Sequence, residues 1–345
     1  MSSANKDKAR SGKRAPTQKD VAELAGVSVM AVSTVVTGNK STVGISEATR
    51  LRIQKAIDEL HYRPNIFARS LRLQHTGTVG FYNGFGYINT ADPFIRLLYD
   101  GIALSLQAND QDILLYNGVY RDRHESLIER VLSQKIDAVI VLPTHEDRAL
   151  IEAIKTRHIP SVILTESIAG LKSITADDTG GSIELANYIV NRGHRHILYR
   201  RSAFPLQFEA RRFEAFCSVI EQSGGKVTAC AANDGMDNVT SREEEVLSDR
   251  LGPDKVTAIV SWRDHSAVRA IDYCLAKNMR VPEDIAVAGF DGIRYPGSSH
   301  DLTTVVAHWN VIADKAPELI NKILKGEEIP DNTIIPSSLH IGSTA

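Results

Sequence analysis

Hydrophobic positions recur at helical spacing in three stretches near the N-terminus. The pattern predicts helices over about 18–25, over about 29–37 behind a cap at Ser28, and over about 46–60. Gly26 ends the first of these, so a tight turn joins the first two helices. A glycine in such a turn is typical of a helix-turn-helix, although an ordinary helical hairpin has the same pattern.

From residue 76 onward, short apolar runs alternate with amphipathic helical stretches such as 94–108 and 265–277. The runs predict strands at 79–82, 113–116, 138–142, 162–164, 197–199, 258–260 and 285–290, and a final strand over about 334–341. Continuous apolar strands that alternate with helices form parallel sheets covered on both faces, and these units are too many for one small sheet. We therefore expect two doubly wound α/β lobes with a ligand cleft at the strand ends.

The composition is that of a globular protein. Hydrophobic residues make up 43% and charged residues 24% of the 345 positions, and the length allows two or three domains. No apolar stretch approaches the length of a membrane span, and the polar, basic N-terminus lacks the features of a secretory signal. The three cysteines form no CxxC pair, which fits a reducing compartment. We expect a cytoplasmic protein that has no membrane partner.

Charge divides the chain near residue 75. Residues 1–75 hold 13 Lys and Arg against 6 Asp and Glu, whereas the remainder holds 27 against 36. Basic residues bind phosphates and release condensed counterions, so a basic segment joined to an acidic one indicates a polyanion-binding module fused to a separate ligand-binding body.

The most specific motifs lie between the third predicted helix and the first predicted strand. They are Tyr62-Arg63-Pro64-Asn65, Ala68-Arg69-Ser70-Leu71 and Thr76-Gly77-Thr78-Val79-Gly80. With the helices before them, these motifs resemble the head, hinge and first strand of the lactose-repressor/galactose-repressor family of bacterial transcription regulators. The resemblance implies an all-α helix-turn-helix DNA-binding head and a two-lobed, periplasmic-binding-protein-like α/β body. It also implies a regulator, by default a repressor, that binds double-stranded operator DNA as a homodimer and binds a small-molecule effector.

The same resemblance implies domain boundaries. They are a basic tail at 1–16, a DNA-binding domain at 17–63, a hinge helix or linker at 64–75, and an effector-binding and dimerisation domain at 76–345. Within the last domain, lobe one is expected at about 76–175 and 307–337, and lobe two at about 176–306 and 338–345. We expect the dimer to form through lobe one, near the helix at 94–108.

The predicted recognition helix departs from the family where it would read bases. Val29, Met30 and Thr34 occupy the usual reading positions, and the first two offer only apolar contact, for example to a thymine methyl group. The operator should therefore differ from the common one. Phosphate contacts, which position the head without specifying sequence, are expected from Thr17, Ser28 and Ser33.

The resemblance also assigns the hinge. Asn65, Ala68 and Leu71 are expected to contact the minor groove, where two hinges fold together. Leu71 would then be a wedge between base steps, whose unstacking is repaid by bent DNA. The alternative is that Leu71 is a simple apolar linker residue.

By resemblance, Arg212, Asp264 and Asp291 contact the effector, and Phe94 forms an apolar wall. Carboxylates accept and a guanidinium donates hydrogen bonds to vicinal hydroxyl groups. Arg263 is an effector candidate that stands where the family often has Asn, and Thr165-Glu166 replaces a frequent Asp-Arg pair. Two acids and two arginines fit a sugar, a polyol or a sugar acid, and a purine remains open. Further candidate walls are Tyr82 and Met236.

Structural alternatives stay open for three of these residues. Asp264 and Asp291 could cap the following helix or turn, and Arg212 could be an ordinary charge on a helix surface.

Other classes of protein fit less well. The chain has no GxSxG, HExxH or GxxxxGK[ST] motif, and Gly84-Phe85-Gly86 lacks the third glycine of a dinucleotide fingerprint, so we expect no enzyme, cofactor or metal. His194 and His196 are expected to be structural. A secreted solute-binding protein would lack the basic helical head, and an architectural DNA protein would not need a large acidic body with a polar cleft.

Overall fold

The structure is a computed structural model that describes residues 14–37, 44–64, 75–86, 92–117, 124–131, 133, 135–231, 237–248 and 255–345. The chain forms two compact units, Met1–Thr76 and Gly77–Ala345, which we call the head and the body. Four candidates of the sequence analysis lie outside the described residues, namely Asn65, Ala68, Leu71 and Met236.

Three helices form the described part of the head: α1 Gln18–Ala25, α2 Val29–Thr37 and α3 Glu47–Leu60. Helix α1 begins at a capping box, in which Thr17 and Asp20 each bond the backbone of the other. It ends at Gly26, whose φ of 61° lies in the left-handed region that glycine adopts without a steric penalty. The three predicted helices are confirmed.

A small apolar core joins these helices. Its buried members are Val21, Ala22, Ala25, Val32, Ile53, Ala56 and Tyr62. Ile53 is fully buried, whereas Ile57 and Leu60, also predicted to face inward, are only partly buried. A core of this size leaves the head with little stability to spare.

The body is built from strands that alternate with helices. Its strands are β1 Thr78–Asn83, β2 Asp112–Asn117, β3 Ala138–Leu142, β4 Ser161–Leu164, β5 Lys172–Ala176, β6 His196–Arg201, β7 Lys226–Ala231, β8 Ala258–Ser261, β9 Ala286–Asp291, β10 Thr303–Val306, β11 Asn332–Ile335 and β12 Ser338–His340. Its helices are α4 Pro93–Gln107, α5 His124–Val131, α6 Arg148–Thr156, α7 Asp178–Asn191, α8 Gln207–Gln222, α9 Ser241–Ser248, α10 Asp264–Ala276 and α11 Trp309–Leu324.

The strands form two six-stranded sheets, each the centre of one lobe. The first lobe has the order β11-β5-β4-β3-β1-β2 and the second has β12-β10-β9-β8-β6-β7. Neighbouring strands are parallel except β10 and β12, which are antiparallel. Strands β3 and β9 are buried along their whole length, as parallel strands covered on both faces should be. The predicted fold class is confirmed.

The chain passes between the lobes after β5, after β10 and between β11 and β12. The last passage corrects the prediction of one final strand over 334–341. That segment contains two strands, one in each sheet, separated by Pro336 and Ser337. Proline has no N–H group to donate to a sheet, so β11 ends before it.

Helices α4 and α11 pack side by side in the first lobe. Gly101 permits their close approach, because a β-carbon at that position would lie 2.6 Å from Cβ of Ala313. The aromatic residues near the N-terminal ends of the two helices therefore meet. Phe94 and Trp309 pack edge to face with ring centroids 5.0 Å apart.

Among the described residues, no helix has both the length and the apolar character of a membrane span.

Candidate nucleic-acid interface and ligand cleft

The start of α2 presents apolar side chains to solvent. Met30 is 76% exposed and Val29 is 45% exposed. The hydroxyl of Thr34 donates to the carbonyl oxygen of Met30 at 3.0 Å, so its donor hydrogen is used within the helix. The exposed surface of α2 thus offers methyl and thioether groups rather than paired hydrogen-bond donors.

The hydroxyl residues at the helix starts serve first as caps. Oγ of Ser28 accepts a hydrogen bond from the backbone N–H of Ala31 at 3.2 Å, and Thr17 belongs to the capping box of α1. Free N–H groups and the helix dipole make such termini suitable for phosphate contact. Ser33 is buried in the head, which argues against the predicted phosphate contact at that residue.

In the body, the strand ends of both lobes enclose a cavity of about 650 Å³. Aromatic rings dominate its walls, among them Phe85, Phe94, Phe208, Trp262, Tyr295 and Trp309. The predicted wall residue Phe94 is one of them, and its helix begins there because Oδ1 of Asp92 accepts the Phe94 N–H at 2.9 Å. The two tryptophans of the chain, Trp262 and Trp309, both line this cavity.

Tyr82, the other described candidate wall, lies elsewhere. It is fully buried, and its hydroxyl donates to Asp147 at 2.5 Å within the first lobe. Asn83 and Phe85 line the cavity instead. Tyr82 precedes the last residue of β1 by one position, and only that last residue and the loop after it reach the cavity.

Arg212 is fully buried in α8 and is not a helix-surface charge. Its Nε donates to Asp178 Oδ1 at 2.9 Å, and its Nη1 donates to Asp291 Oδ1 at 3.2 Å and to the Trp262 carbonyl at 2.8 Å. The guanidinium carbon stacks 3.6 Å from the centroid of Phe290. Nη2 has no hydrogen-bond partner among the described residues. Arg212 is itself not among the lining residues of the cavity; it joins two carboxylates and bonds two residues that do line it, Asp291 and Trp262, while its Nη2 stays unpaired within the described part of the chain.

The two predicted carboxylates have different surroundings. Asp291 lines the cavity at the end of β9, with a φ of 128° that non-glycine residues rarely adopt. Asp264 is fully buried and is not among the lining residues of this cavity. Its carboxylate accepts the backbone N–H of Ile293 at 2.7 Å and the hydroxyl of Thr304 at 2.5 Å. It thereby ties α10 to the strand ends, and these structural contacts occupy the carboxylate that was predicted to contact an effector.

Burial raises the pKa of both carboxyl groups. The nearby charge of Asp291 raises the pKa of Asp264 further, whereas Arg212 opposes the rise at Asp291. The hydrogen bonds of Asp264 go to Ile293 and Thr304 rather than to the first turn of α10, which it begins, and Asp291 pairs with Arg212.

A polar cluster on the second lobe centres on Asp237, which the sequence analysis missed. Its Oδ2 accepts Arg263 Nε at 2.7 Å and pairs with His265 Nδ1 at 3.1 Å, and its Oδ1 accepts Trp262 Nε1 at 3.3 Å. All four of these residues line the cavity. Burial alone would raise the pKa of Asp237, but the bond from His265 and the charge of Arg263 outweigh it and lower the pKa. Arg263, predicted as an effector residue, thus faces the cavity already paired.

Glu166 connects the two lobes. It follows β4 of the first lobe, and its Oε1 accepts the N–H groups of Gln207 at 3.1 Å and Phe208 at 3.4 Å at the start of α8 in the second lobe. The N-cap residue of α8, Leu206, provides no side-chain cap, so a carboxylate from the other lobe takes that role. Burial raises the pKa of Glu166 to about 7, although Arg211 and the capping bonds oppose the rise.

Glu166→Gln should change how stability depends on pH. The pKa of Glu166 is about 7 in the folded chain against an ordinary 4.5, so the folded state binds this proton more tightly. The free energy of unfolding should therefore fall by about 3 kcal/mol as pH rises from about 4.5 to about 7, at 1.36 kcal/mol per pKa unit. Glutamine keeps an accepting oxygen and removes this slope. Urea unfolding at pH 5, 6 and 7 measures it.

The matched control is Glu152→Gln, at a glutamate of the same lobe whose side chain is 68% exposed. This variant should keep the pH dependence of the natural chain. If the free energy of unfolding depended on pH equally in Glu166→Gln and in the natural chain, the pKa of Glu166 would not be raised by folding.

The alternating histidines have structural partners. Nδ1 of His194 bonds to Thr257 Oγ1 at 2.9 Å, and Nε2 of His196 bonds to Thr228 Oγ1 at 2.8 Å. These bonds agree with the structural role expected for them.

Comparison with known proteins gives a family match for the head and another for the body. Residues 17–65 match the model of bacterial regulatory proteins of the lacI family, and residues 186–345 match a periplasmic binding protein-like domain. The chain is 28% identical over 330 residues to the HTH-type transcriptional regulator GalR of Escherichia coli (strain K12), covering 92% of each chain.

Two solved structures share the fold. The lac repressor dimer bound to operator and the anti-inducer ONPF has a TM-score of 0.80 at 20% identity, covering 96% of this chain and 99% of that one. A complex of the transcriptional regulator CelR with cellobiose has a TM-score of 0.69 at 23% identity, covering 96% and 100%.

Proposed function

The chain belongs to the lactose-repressor/galactose-repressor family of bacterial transcription regulators, and we propose that a small molecule in its cleft controls how tightly it binds operator DNA. It is a DNA-binding regulator, and we propose repression as the outcome of binding. The proposed parts are a DNA-binding domain at 17–63, a hinge at 64–75 and an effector-binding, dimerising body at 76–345. We propose that it acts in the cytoplasm, on the chromosome.

The observation that carries the effector proposal is the cavity of about 650 Å³ between the lobes, with aromatic walls and charged groups together. Sugars present apolar C–H faces, which pack on aromatic rings, and hydroxyl edges, which pair with carboxylates and guanidinium groups. We propose a sugar, polyol or sugar acid as the effector. Asp291, Arg263 and the free Nη2 of Arg212 are the proposed polar contacts, and Phe94 is a proposed apolar contact. A purine could stack on the same rings and belongs in the test.

The relatives named GalR and PurR are transcription regulators, which supports the proposal of a regulator with no enzymatic activity. The charged groups of the cleft are paired with one another. Asp237 is paired with Arg263 and His265, and Asp291 is paired with Arg212. Pairs of this kind hold side chains in fixed positions for recognition.

The proposed mechanism is a two-state linkage in a homodimer. Effector binding changes the angle between the lobes, and the lobe-one dimer interface near α4 transmits this change to the spacing of two hinges on DNA. Contacts such as Glu166 with the start of α8 make the lobe angle sensitive to what fills the cleft. A coupling free energy of about 1 to 3 kcal/mol changes DNA affinity roughly 5- to 150-fold.

On DNA, Val29, Met30 and Thr34 are the proposed base contacts. Proposed phosphate contacts come from Thr17 and Ser28, and proposed minor-groove contacts from Asn65, Ala68 and Leu71. The exposure of Val29 and Met30 supports recognition of thymine methyl groups.

We expect Met30→Ala to weaken binding to the preferred operator about tenfold, because the apolar contact of one long side chain is lost. Binding to random duplex DNA should be unchanged, since phosphate contacts provide it. Fluorescence anisotropy with both duplexes at fixed salt measures the difference. Leu51→Ala, at another exposed apolar residue of the head, is the control and should leave both affinities intact. An equal loss on both duplexes would reject Met30 as a base contact.

Two experiments test the function. In the first, the purified chain selects fragments of chromosomal DNA at modest salt, and sequencing should reveal an enriched site with two-fold symmetry. Failure to retain duplex DNA would overturn the proposal. In the second, tryptophan emission is titrated with sugars, polyols, sugar acids and purines, because Trp262 and Trp309 both line the cavity. One class should produce a saturable change and alter DNA affinity; no response from any class would reject the proposed effectors.

A further inference from the structure

A buried guanidinium lies beneath the polar side of the cleft. Arg200, near the end of β6, is only 2% exposed. Its Nε donates to Glu243 Oε1 at 2.6 Å, and its Nη1 donates to the carbonyl oxygen of Ser266. Its Nη2 donates to the carbonyl oxygens of Asp237 at 2.9 Å and Asn238 at 3.2 Å. One side chain thus holds the segment before α9 and the first turn of α10.

Glu243 completes this arrangement from α9. Its side chain is 1% exposed, and its Oε2 accepts the backbone N–H of Thr240 at 2.6 Å. The Thr240 hydroxyl accepts the N–H of Glu243 at 3.2 Å, so the same carboxylate belongs to the cap of α9. The ion pair between Arg200 and Glu243 therefore fixes the main chain from Asp237 to the start of α9.

The pair occupies a place where apolar residues would be expected. Side chains alternate along a strand, so Arg200 shares a sheet face with Leu198, which belongs to an apolar cluster of the second lobe. A buried ion pair contributes little net stability, and apolar residues of similar volume often replace one without loss. The net stability of the ion pair therefore matters less than the main-chain groups that it holds in place at Ser266, Asp237 and Asn238.

The connection from this pair to the cleft is direct. Arg200 binds the main-chain carbonyl of Asp237, while the carboxylate of the same residue holds Trp262, Arg263 and His265. Trp262 and Arg263 lie in the loop between β8 and α10, His265 lies in the first turn of α10, and all three side chains line the cavity. Any shift of the main chain at Asp237 would move all three together.

We propose that Arg200 is a positioning residue for effector recognition. Together with Glu243 it fixes Asp237, and through Asp237 it fixes the orientation of Arg263 and His265 in the cleft, without contacting the ligand. The proposal rests on the proposed function in that it assumes an effector in this cleft. A displacement of about 1 Å in a polar binding group is enough to weaken recognition tenfold or more.

The first test needs no effector. In a Trp309→Phe background, Trp262 is the sole tryptophan of the chain, and its indole N–H donates to Asp237. The double variant Arg200→Met with Glu243→Met replaces both charges by apolar groups of similar length, so neither charge is left without the other. The carbonyl groups of Ser266, Asp237 and Asn238 and the N–H of Thr240 lose their side-chain partners. We expect the emission of Trp262 to shift to the red and its quenching by acrylamide to increase several-fold, with a loss of thermal stability from the main-chain groups left unpaired.

The control is the neighbouring ion pair of Arg201 and Glu209, whose atoms lie 2.8 Å apart. Arg201→Met with Glu209→Met, in the same background, should leave the quenching of Trp262 unchanged. Arg200→Lys keeps the charge beside Glu243 but cannot reproduce the fork that reaches the carbonyl groups of Ser266, Asp237 and Asn238, so an intermediate increase is expected. If the double variant does not fold, the quenching of Trp262 in Arg200→Lys tests the proposal by itself.

Unchanged quenching in the Arg200 variants, or an equal increase in the Arg201 control, would overturn the proposal. These outcomes do not depend on whether an effector is found, so they are distinguishable from failure of the proposed function. With an effector identified by the fluorescence panel, the Arg200 variants in the natural Trp309 background should bind it about tenfold more weakly. If those variants bound the effector as tightly as the natural chain does, the positioning role would likewise be rejected.

Discussion

Replacing Ile53 with alanine is expected to abolish DNA binding while the body stays folded. Ile53 is fully buried in the small core of the head. Truncating a buried isoleucine to alanine costs about 2 to 5 kcal/mol, which is comparable to the whole stability of a domain of this size. The head and body are separate compact units, and both tryptophans lie in the body. Loss of the head should therefore leave the fluorescence-detected unfolding of the body unchanged.

Retention of chromosomal DNA fragments measures the first effect, and a urea titration followed by tryptophan emission measures the second. Leu51→Ala is the matched control, because Leu51 lies on the same helix and is 63% exposed. Exposed truncations usually change stability by less than about 0.5 kcal/mol. DNA binding by Ile53→Ala at the natural affinity would show that the head tolerates a cavity at its centre.

The second large effect is expected at Arg212. In Arg212→Met, the carboxylates of Asp178 and Asp291 lose their shared partner, and the proposed effector contact through Nη2 is lost. Removing one member of a buried ion pair costs about 3 to 5 kcal/mol. The effector, once identified, should bind at least about a hundredfold more weakly, because a buried hydrogen-bonding site rejects a mismatched partner strongly.

Isothermal calorimetry and thermal unfolding measure these two losses. Arg211→Met removes the adjacent guanidinium of the same helix, whose side chain is 33% exposed and also bonds Asp178. Partial solvation screens that pair, so its loss should cost less stability than the loss of Arg212. DNA binding should persist in both variants. Effector affinity that is unaffected in Arg212→Met would remove this residue from the binding site.

Short-range patterns were sufficient to locate most elements of secondary structure. The helices of the head, and strands such as β3 and β9, follow from spacing, caps and continuous apolar runs. Three strands were not predicted, namely β5, β7 and β10, because polar residues interrupt their apolar runs. Their backbones are ordered by pairing with neighbouring strands far away in the sequence, which no local pattern records.

The cleft was predicted less completely. Phe94, Arg263 and Asp291 reach the cavity, as strand-end and helix-start positions suggest. Asp264 follows another strand yet packs behind the cavity against Ile293 and Thr304. The direction of a side chain at a strand end depends on the loops packed around it, so equivalent positions in the sequence can have different roles.

The sequence by itself determined a basic helical head, an α/β body of two parallel sheets, and the strand ends where a ligand site forms. These follow from periodicity, charge and motif, which act over a few neighbouring residues. Only the tertiary structure showed that Asp237 bonds the polar side chains of the cleft and that Arg200 and Glu243 hold its main chain. The same is true of Glu166, which caps a helix of the other lobe. Each of these contacts joins segments tens of residues apart, and packing of the completed lobes brings them within hydrogen-bond distance.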